Sequence, residues 1–426
     1  MTAAPHDGTL TEESYARAAL TYLVEPADHW LNGLILAHGA TRTLKAIRSG
    51  RLPEPSGDFP MPPFMLRTLQ RSLERWRVRL DELPTPDEVL AFRRSGIRLI
   101  CPGDPEWPEQ LADLGVEQPY ALWLRGTADL RFSCLRAVAV VGSRAATAYG
   151  CYVAAELAAS VAARGWSVVS GAAFGVDASA HRGALGADGV TVAVLACGVD
   201  VPYPAGHAEL LESVAAQGVI VSEWPPGRTV SRLRFLVRNR VIAALATGTL
   251  VVEAGERSGA VNTARHARDL SRPLMAVPGP VTSDQSAGCH RIIRDWQGTL
   301  VTTAAEVIEH LSPVGATLSP SPAPAPAPSP AAAPAPTQPP VAAAPADPSR
   351  PKSSRRRRAR PALDLDAMDL ETTQVLDAMP ARGGMATTRI AQRAGLPPTT
   401  AVRCLASLAA SGFVERCHEG WRLSRG

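Results

Sequence analysis

Between Val138 and Leu311 the chain alternates two rhythms. Short apolar runs, AVAVVG, SVVSG, TVAVLACG, GVIVSE, TLVVEA and PLMAVPG, each give way to a stretch with helix-compatible spacing. The runs are continuously apolar, as in strands buried on both faces, and this predicts a parallel sheet with helices on both sides. In such sheets ligands collect outside the carboxyl ends of the strands, and the glycine- and serine-bearing turns of this chain fall at that end. Two further β-like runs, within IRLICPGDPEWPEQL and PYALWLRG, are expected to extend the sheet at one edge.

On either side the rhythm changes. Tyr15 to Leu80 reads as mainly helical, interrupted by the proline-rich LPEPSGDFPMPP, and LILAHGATRTLKAI carries a helix, a glycine turn and a second helix in the manner of a helix-hairpin-helix. The stretch 313–362 repeats Pro-Ala and can form neither a helix nor a sheet ladder, so it is expected to be an extended tether. Beyond it, helical spacing from about Thr388, a turn at Gly395-Leu396, a second helix opening near Thr399 and a two-stranded tail predict a winged helix-turn-helix. The expected architecture is α/β: an extended Rossmann-like parallel sheet over 87–312, a helical N-terminal domain over 1–86, a linker over 313–362 and a winged helix over 363–426.

Composition narrows this picture. A chain of 426 residues is long enough for several modules. Its formal charge is only +4, but the basic residues are almost all arginine and unevenly spread, and Arg350 to Arg360 contains no acid. That run reads either as a solvated linker end or as a nonspecific nucleic-acid contact. The seven cysteines lie far apart without CxxC or zinc-ligand spacing, as expected of reduced thiols. The opening MTAAPHDGTLTEES lacks a basic start followed by an apolar run, and no apolar stretch approaches the roughly 20 residues of a membrane span. A cytoplasmic protein without membrane contact, cofactor or metal is therefore expected. No nucleophile-base pair stands out, so no catalytic residue is named.

Four turns carry candidate chemistry. In Gly142-Ser143-Arg144 the glycine admits an anion close to the backbone, N–H groups supply donors, the next helix adds a positive end, and Arg144 can fork onto phosphate. In SGAAFGVDASAH, Ser170 and Gly171 end a strand, Gly175 breaks the chain, Asp177 is expected to cap the next helix and His181 to pack within it. Phe174 at the loop tip either stacks a nucleobase or is buried beneath the loop. The third stretch, GRTVSRLRFLVRNRVIAALA, is dense in arginine and free of acid, so it reads either as a solvated basic face or as a polyanion track. With a helix starting near Phe235, Arg234 and Arg238 share an outward flank, while Arg240 points nearer the apolar side and needs a buried partner. In the fourth, EAGERSGAVNTARHA, Ser258 and Gly259 precede a helix start, and Asn262 and Thr263 bring neutral hydrogen-bonding groups to the same turn. Several such seats along one sheet edge suit a chain of phosphates.

Taken in order, GSR with Thr147 and Gly150, SGAAFGVDASAH, SEWPPG, RNRVIAALA, VVEAGERSGAVNTA, AVPGP and SAGCHRII resemble the DNA-processing protein A family, DprA/Smf. The resemblance covers Val138 to about Leu311. It implies an extended Rossmann fold that binds single-stranded DNA without sequence preference, acts as a homodimer, and protects incoming or repair-derived strands while helping to load the RecA recombinase on them. It also implies a role for Asn239 within the RNR triplet, and it places Arg240 at the pocket floor beside the Gly142 loop. The chain departs from the family pattern at Tyr203-Pro204-Ala205-Gly206-His207, where a lysine expected to meet phosphate is absent. It departs again at Leu236, in place of the proline before the triplet, and at His290, in place of asparagine.

Three other classes compete. A nucleotide-hydrolysing enzyme of the lonely-guy type shares the fold, but its glutamate is lacking at the right offset in VVEAGERSGAVNTA. A dinucleotide-dependent oxidoreductase would need Gly-x-Gly-x-x-Gly after the first strand, which does not occur. A transcription regulator would read DNA with the winged helix, whose second helix offers only Arg403 as an obvious reader.

Overall fold

The computed structural model describes residues 10–53, 62–312, 371–372, 375, 378–379, 384–410, 414–418 and 420–423. The expected tether and the basic run before Arg360 lie outside the described residues.

Five helices come first: α1 (Glu12–Leu23), α2 (His29–His38), α3 (Ala40–Ser49), α4 (Pro63–Arg77) and α5 (Pro86–Arg94). Asp28 caps α2 by accepting from Trp30 N and Leu31 N, and the chain swings at Gly39 into α3, so the expected helix, glycine turn and helix are present. Their apolar faces meet around Leu20, Leu31, Ile47, Leu73 and Trp76.

The sheet follows, made of β1 (Ile97–Ile100), β2 (Leu122–Gly126), β3 (Ala137–Val141), β4 (Ser167–Ser170), β5 (Thr191–Val194), β6 (Val219–Ser222), β7 (Gly248–Val251), β8 (Leu274–Ala276) and β9 (Thr299–Leu300). Strand order is β1-β2-β6-β5-β4-β3-β7-β8-β9. The six apolar runs of the sequence are β3 to β8, all parallel, and the two edge runs are β1 and β2, which join antiparallel beside β6.

The helices between the strands divide by face. A short α6 (Leu130–Cys134) leads from β2 into β3. On one side α7 (Ala148–Ala162) and α8 (Val176–Gly186) cover Val138, Val140 and Val168, and α9 (Ala208–Gln217) covers Ile220 and Trp123. On the other, α10 (Arg232–Leu245), α11 (Gly259–Asp269) and α12 (Ala287–Asp295) cover Ala139, Val141 and Val251. Successive residues of β3 thus face opposite cores, the physical reason its sequence is apolar at every position. The chain moves outward from β3 in one direction through β4, β5 and β6, then crosses back to β7 on its other side. That reversal opens a crevice at the carboxyl ends of β3 and β7, where ligands of doubly wound sheets sit.

The N-terminal helices are stitched to the sheet by long-range bonds. Trp123 Nε1 donates to Thr21 Oγ1 at 3.3 Å, Asn32 Nδ2 donates to the carbonyls of Val116 and Gln118, each at 2.8 Å, and Tyr120 Oη donates to Glu25 O at 3.0 Å.

Near the C-terminus a helix Thr387–Ala394, a left-handed Gly395, a helix Pro398–Ala410 and the hairpin β10 (Val414–Cys417) with β11 (Gly420–Leu423) form a helix-turn-helix with a two-stranded wing. Ile390, Leu405 and Val414 close its core. Arg403, the residue singled out as a DNA reader, is ion-paired with Glu371. No described helix is long and apolar enough to cross a membrane.

Candidate nucleic-acid interface

The loop after β3 holds Gly142, Ser143 and Arg144 against the loop after β4. Val176 N donates to Ser143 O at 3.2 Å. Gly175, at φ +77°, lies so close that a Cβ there would stand 2.2 Å from the same carbonyl, so a side chain at this crossing would push the two loops apart. Ser143 is tied down within the crossing: its N–H donates to Glu253 O at 2.7 Å and its Oγ accepts from Ala145 N at 3.1 Å. Arg144 is exposed, and its guanidinium lies 4.5 Å over the ring of Phe235. Among the described residues no carboxylate pairs with it. Arg144, Gly171, Ala173, Phe174, Tyr203 and Phe235 line one depression, in which the rings of Tyr203 and Phe235 are 5.6 Å apart.

Phe174 is 51% exposed at the loop tip, so burial beneath the loop does not hold it. Its ring meets that of His207 edge-on at 4.5 Å, and His207 Nδ1 bonds Ala172 O at 2.9 Å. Ser170 is fully buried and donates to Val140 O at 2.7 Å. Asp177 does not cap α8: Gly175 takes the N-cap position, and the buried Asp177 carboxylate instead accepts from Ala173 N at 3.3 Å within the loop. Burial raises its pKa against the opposing charge of Arg238. His181 packs as expected, fully buried with Nδ1 on Thr191 Oγ1 at 2.7 Å, and burial pulls its pKa down to about 3.

The arginine-rich stretch is where structure and expectation part. The helix begins at Arg232, with Ser231 as N-cap, ahead of the expected start at Phe235. Arg238 is 3% exposed and donates to the carbonyls of Gly171 and Val194, which corrects the expectation of an outward flank. Those carbonyls lie at the carboxyl ends of β4 and β5, and the guanidinium donates to both. Arg234 is corrected too: Nε and Nη2 fork onto the Glu25 carboxylate at 3.0 and 2.6 Å, and the guanidinium lies 5.7 Å over Trp224. Glu25 also accepts from Trp224 Nε1 at 2.8 Å; burial alone would raise its pKa, yet Arg234 holds it below the usual carboxylate range. Arg240 is buried with a partner, but that partner is Glu223 of the SEWPPG turn, met by Nη1 and Nη2 at 2.7 Å each, and no residue of the Gly142 loop.

At the fourth turn Ser258 stands at the N-cap of α11 without capping it, and its buried Oγ has no hydrogen-bond partner among the described residues. Asn239 Nδ2 reaches across from α10 to Gly259 O and Asn262 Oδ1, both at 3.2 Å, so the triplet asparagine and this turn are brought together. Thr263 turns inward, 2% exposed, and its hydroxyl back-bonds Gly259 O at 3.5 Å, as a buried helical threonine does when no other acceptor is at hand.

Sequence reasoning assigned no role to Phe235, Glu25, Glu223 or Glu253. For Phe235 a signal existed, an aromatic ring beside a dense arginine run. Glu223 and Glu253 lie within the quoted motifs SEWPPG and VVEAGERSGAVNTA, but the partners of all three glutamates lie elsewhere in the chain, so the local sequence did not reveal them.

The chain matches the family described as DNA recombination-mediator protein A over residues 98–312, and an IclR helix-turn-helix domain over 372–417. It is 42% identical over 350 residues to a putative DNA processing protein DprA of Mycobacterium tuberculosis, a match covering 80% of each chain. It is 40% identical over 215 residues to protein Smf of Escherichia coli, covering 50% of this chain and 56% of that one. Among solved structures, DprA of Streptococcus pneumoniae superposes with a TM-score of 0.56 at 26% identity, covering 71% of this chain and 98% of that one.

Proposed function

The chain belongs to the DNA recombination-mediator protein A family, DprA/Smf, and from that premise we propose that it binds single-stranded DNA of any sequence across the strand ends at its topological switch point. The observation that carries this is Arg144: an exposed cation that forms no ion pair among the described residues, at the rim of a depression walled by Phe174, Tyr203 and Phe235. A cation over the half-buried Phe235, with the exposed rings of Phe174 and Tyr203 in the same depression, suits one phosphate and an unstacked base, and rings accept every base alike. The turn of Ser258, Gly259, Asn262 and Asn239 supplies a second place for the backbone of the strand.

In this reading the chain acts as a homodimer that shields single strands and helps load the RecA recombinase on them, as binding partner and not as enzyme. Gly142, Ser143, Ser170, Gly171 and Gly175 shape the loops, while Arg234, Arg238, Arg240 and Thr263 hold the crevice from within.

Fluorescence anisotropy with homopolymeric single strands and a duplex of equal length tests the proposal. Single strands of every composition should bind more tightly than duplex, with log affinity falling linearly against log salt. Arg144→Ala should weaken binding ten- to a hundredfold, equivalent to about 1.5–3 kcal/mol, without moving the thermal midpoint. Preference for duplex, or an unaltered Arg144→Ala affinity, would overturn it.

A further inference from the structure

The first turn of α7 opens directly behind the Arg144 loop. A helix start offers unpaired N–H groups and a positive dipole end, and in a sheet of this kind it is the usual seat of a nucleotide phosphate. Here the seat is taken from within. Glu253, at the end of β7, is 3% exposed and sends its carboxylate to the start of the helix. Its Oε2 accepts from Thr147 N at 2.8 Å and its Oε1 from Thr147 Oγ1 at 2.6 Å. Thr147 Oγ1 in turn accepts from Gly150 N at 3.2 Å, which closes the cap. The fit is tight: a Cβ on Gly150 would stand 2.2 Å from Glu253 Oε2, so the first turn lies directly against the carboxylate.

The same residue holds the other end of the loop, because its backbone carbonyl accepts from Ser143 N at 2.7 Å. Residues 143 and 147 are thus both tied to Glu253, and Arg144 is the exposed charged side chain between them.

We propose that Glu253 is the positioning residue of this interface, an internal anion that fills the phosphate seat of α7 and, by pinning both ends of the loop, turns Arg144 outward to a DNA strand. The inference rests on the single-strand reading above. It has two consequences. A second anion at the α7 start meets a carboxylate already there, so this helix is closed to the phosphates of a free nucleotide. The strand is then met by a side chain that reaches out of the crevice, which suits a continuous polymer passing over it.

A double-mutant cycle on the full chain tests this, with a fluorescein-labelled oligothymidylate as probe, anisotropy titrations at several salt concentrations, and thermal melts of every variant. Glu253→Ala should weaken binding about tenfold and lower the salt slope by about one, the signature of one lost phosphate contact. Adding Arg144→Ala should then cost nothing further, since the loop has already lost its aim. Glu253→Gln, whose amide can still accept from Thr147 N and donate to Thr147 Oγ1, should recover the affinity to within about threefold. A Glu253→Ala chain that does not fold is replaced in the cycle by Thr147→Ala, which removes the hydroxyl link and should couple to Arg144 in the same way. If wild type binds while the two substitutions add independently, or while Glu253→Ala leaves the salt slope unchanged, the inference fails alone. If wild type binds no strand, the functional reading fails and takes the inference with it.

Discussion

The loop after β3 and the helix α10 both bring arginine to the crevice, and they use it in opposite ways. Arg144 stands on a loop fixed at both ends, exposed and flanked by an aromatic ring. On α10 three arginines of the denser cluster are consumed internally, Arg240 by Glu223, Arg238 by two carbonyls, and Arg234 by Glu25, a residue 209 positions away in the chain, while Arg232 at the helix start stays exposed. Local arginine density therefore does not measure free charge. A cation remains available to a polyanion only where no carboxylate or carbonyl reaches it, and the N-terminal helices reach α10 but not the Arg144 loop.

The strongest way to break this contrast is Arg240→Ala. Arg240 and Glu223 are 1% and 3% exposed at their side chains, so removing the guanidinium strands a buried carboxylate. A loss of about 3–5 kcal/mol is expected from urea unfolding. A variant as stable as wild type would show that Glu223 finds another partner.

Next comes Arg238→Ala, where the sequence alone suggested a phosphate contact and little change in stability. The structure reverses that. The carbonyls of Gly171 and Val194 lose their donor, at a cost on the order of 2–3 kcal/mol, while the salt slope of DNA binding should hold. A slope lowered by one with an unchanged melt would restore Arg238 to the track.

His181, buried near Arg238, offers a comparison in pH. Its folded pKa of about 3 lies below the ordinary 6.5, through burial first and then the charges of Arg238, His207 and Arg182. Between those values the unfolded chain binds a proton that the folded one refuses, so this contribution to stability falls as pH falls from about 6.5 toward 3. From pH 7 to pH 5 it should amount to about 2 kcal/mol, read as the difference between the wild-type and His181→Asn stability curves. Parallel curves would mean that His181 takes up its proton in the fold.

Glu25→Gln should have the smallest effect. The Glu25 side chain is 46% exposed, so weakening its pair with Arg234 should cost only about 0.2–1 kcal/mol. It should also release Arg234 and steepen the salt slope of DNA binding by up to about one. An unchanged slope would show that Thr229 O and Trp224 suffice to hold the guanidinium.

Much of the fold was legible beforehand because its signals are local. The apolar runs became β3 to β8, the edge runs β1 and β2, and the turn at Gly395 separated two helices as expected. Within the interface, the depression at Arg144 and Phe174 lies on residues the turns had singled out, and Asn239, singled out by the resemblance alone, meets Asn262 of the fourth turn. Arg234 and Arg238 were misplaced for one reason. Helical spacing gives the angle of a side chain about its own helix, but the neighbour packed at that angle belongs to another part of the chain. Asp177 was misread similarly, since Gly175 gave the backbone a N-cap without a side-chain acceptor.

By itself, then, the sequence determined the order of elements, the two-sided burial of the central strands and the turns placed at their carboxyl ends. These follow from periodicity and from residues with restricted or permissive backbones, and both act within a few positions. Tertiary structure alone decided which charges stay free. Glu223 and Glu25 were brought to their partners by the crossing of α10 and the docking of the N-terminal helices, and Glu253 by the pairing of β7 with β3; a buried ion must be paired by whatever group the fold places within hydrogen-bonding distance.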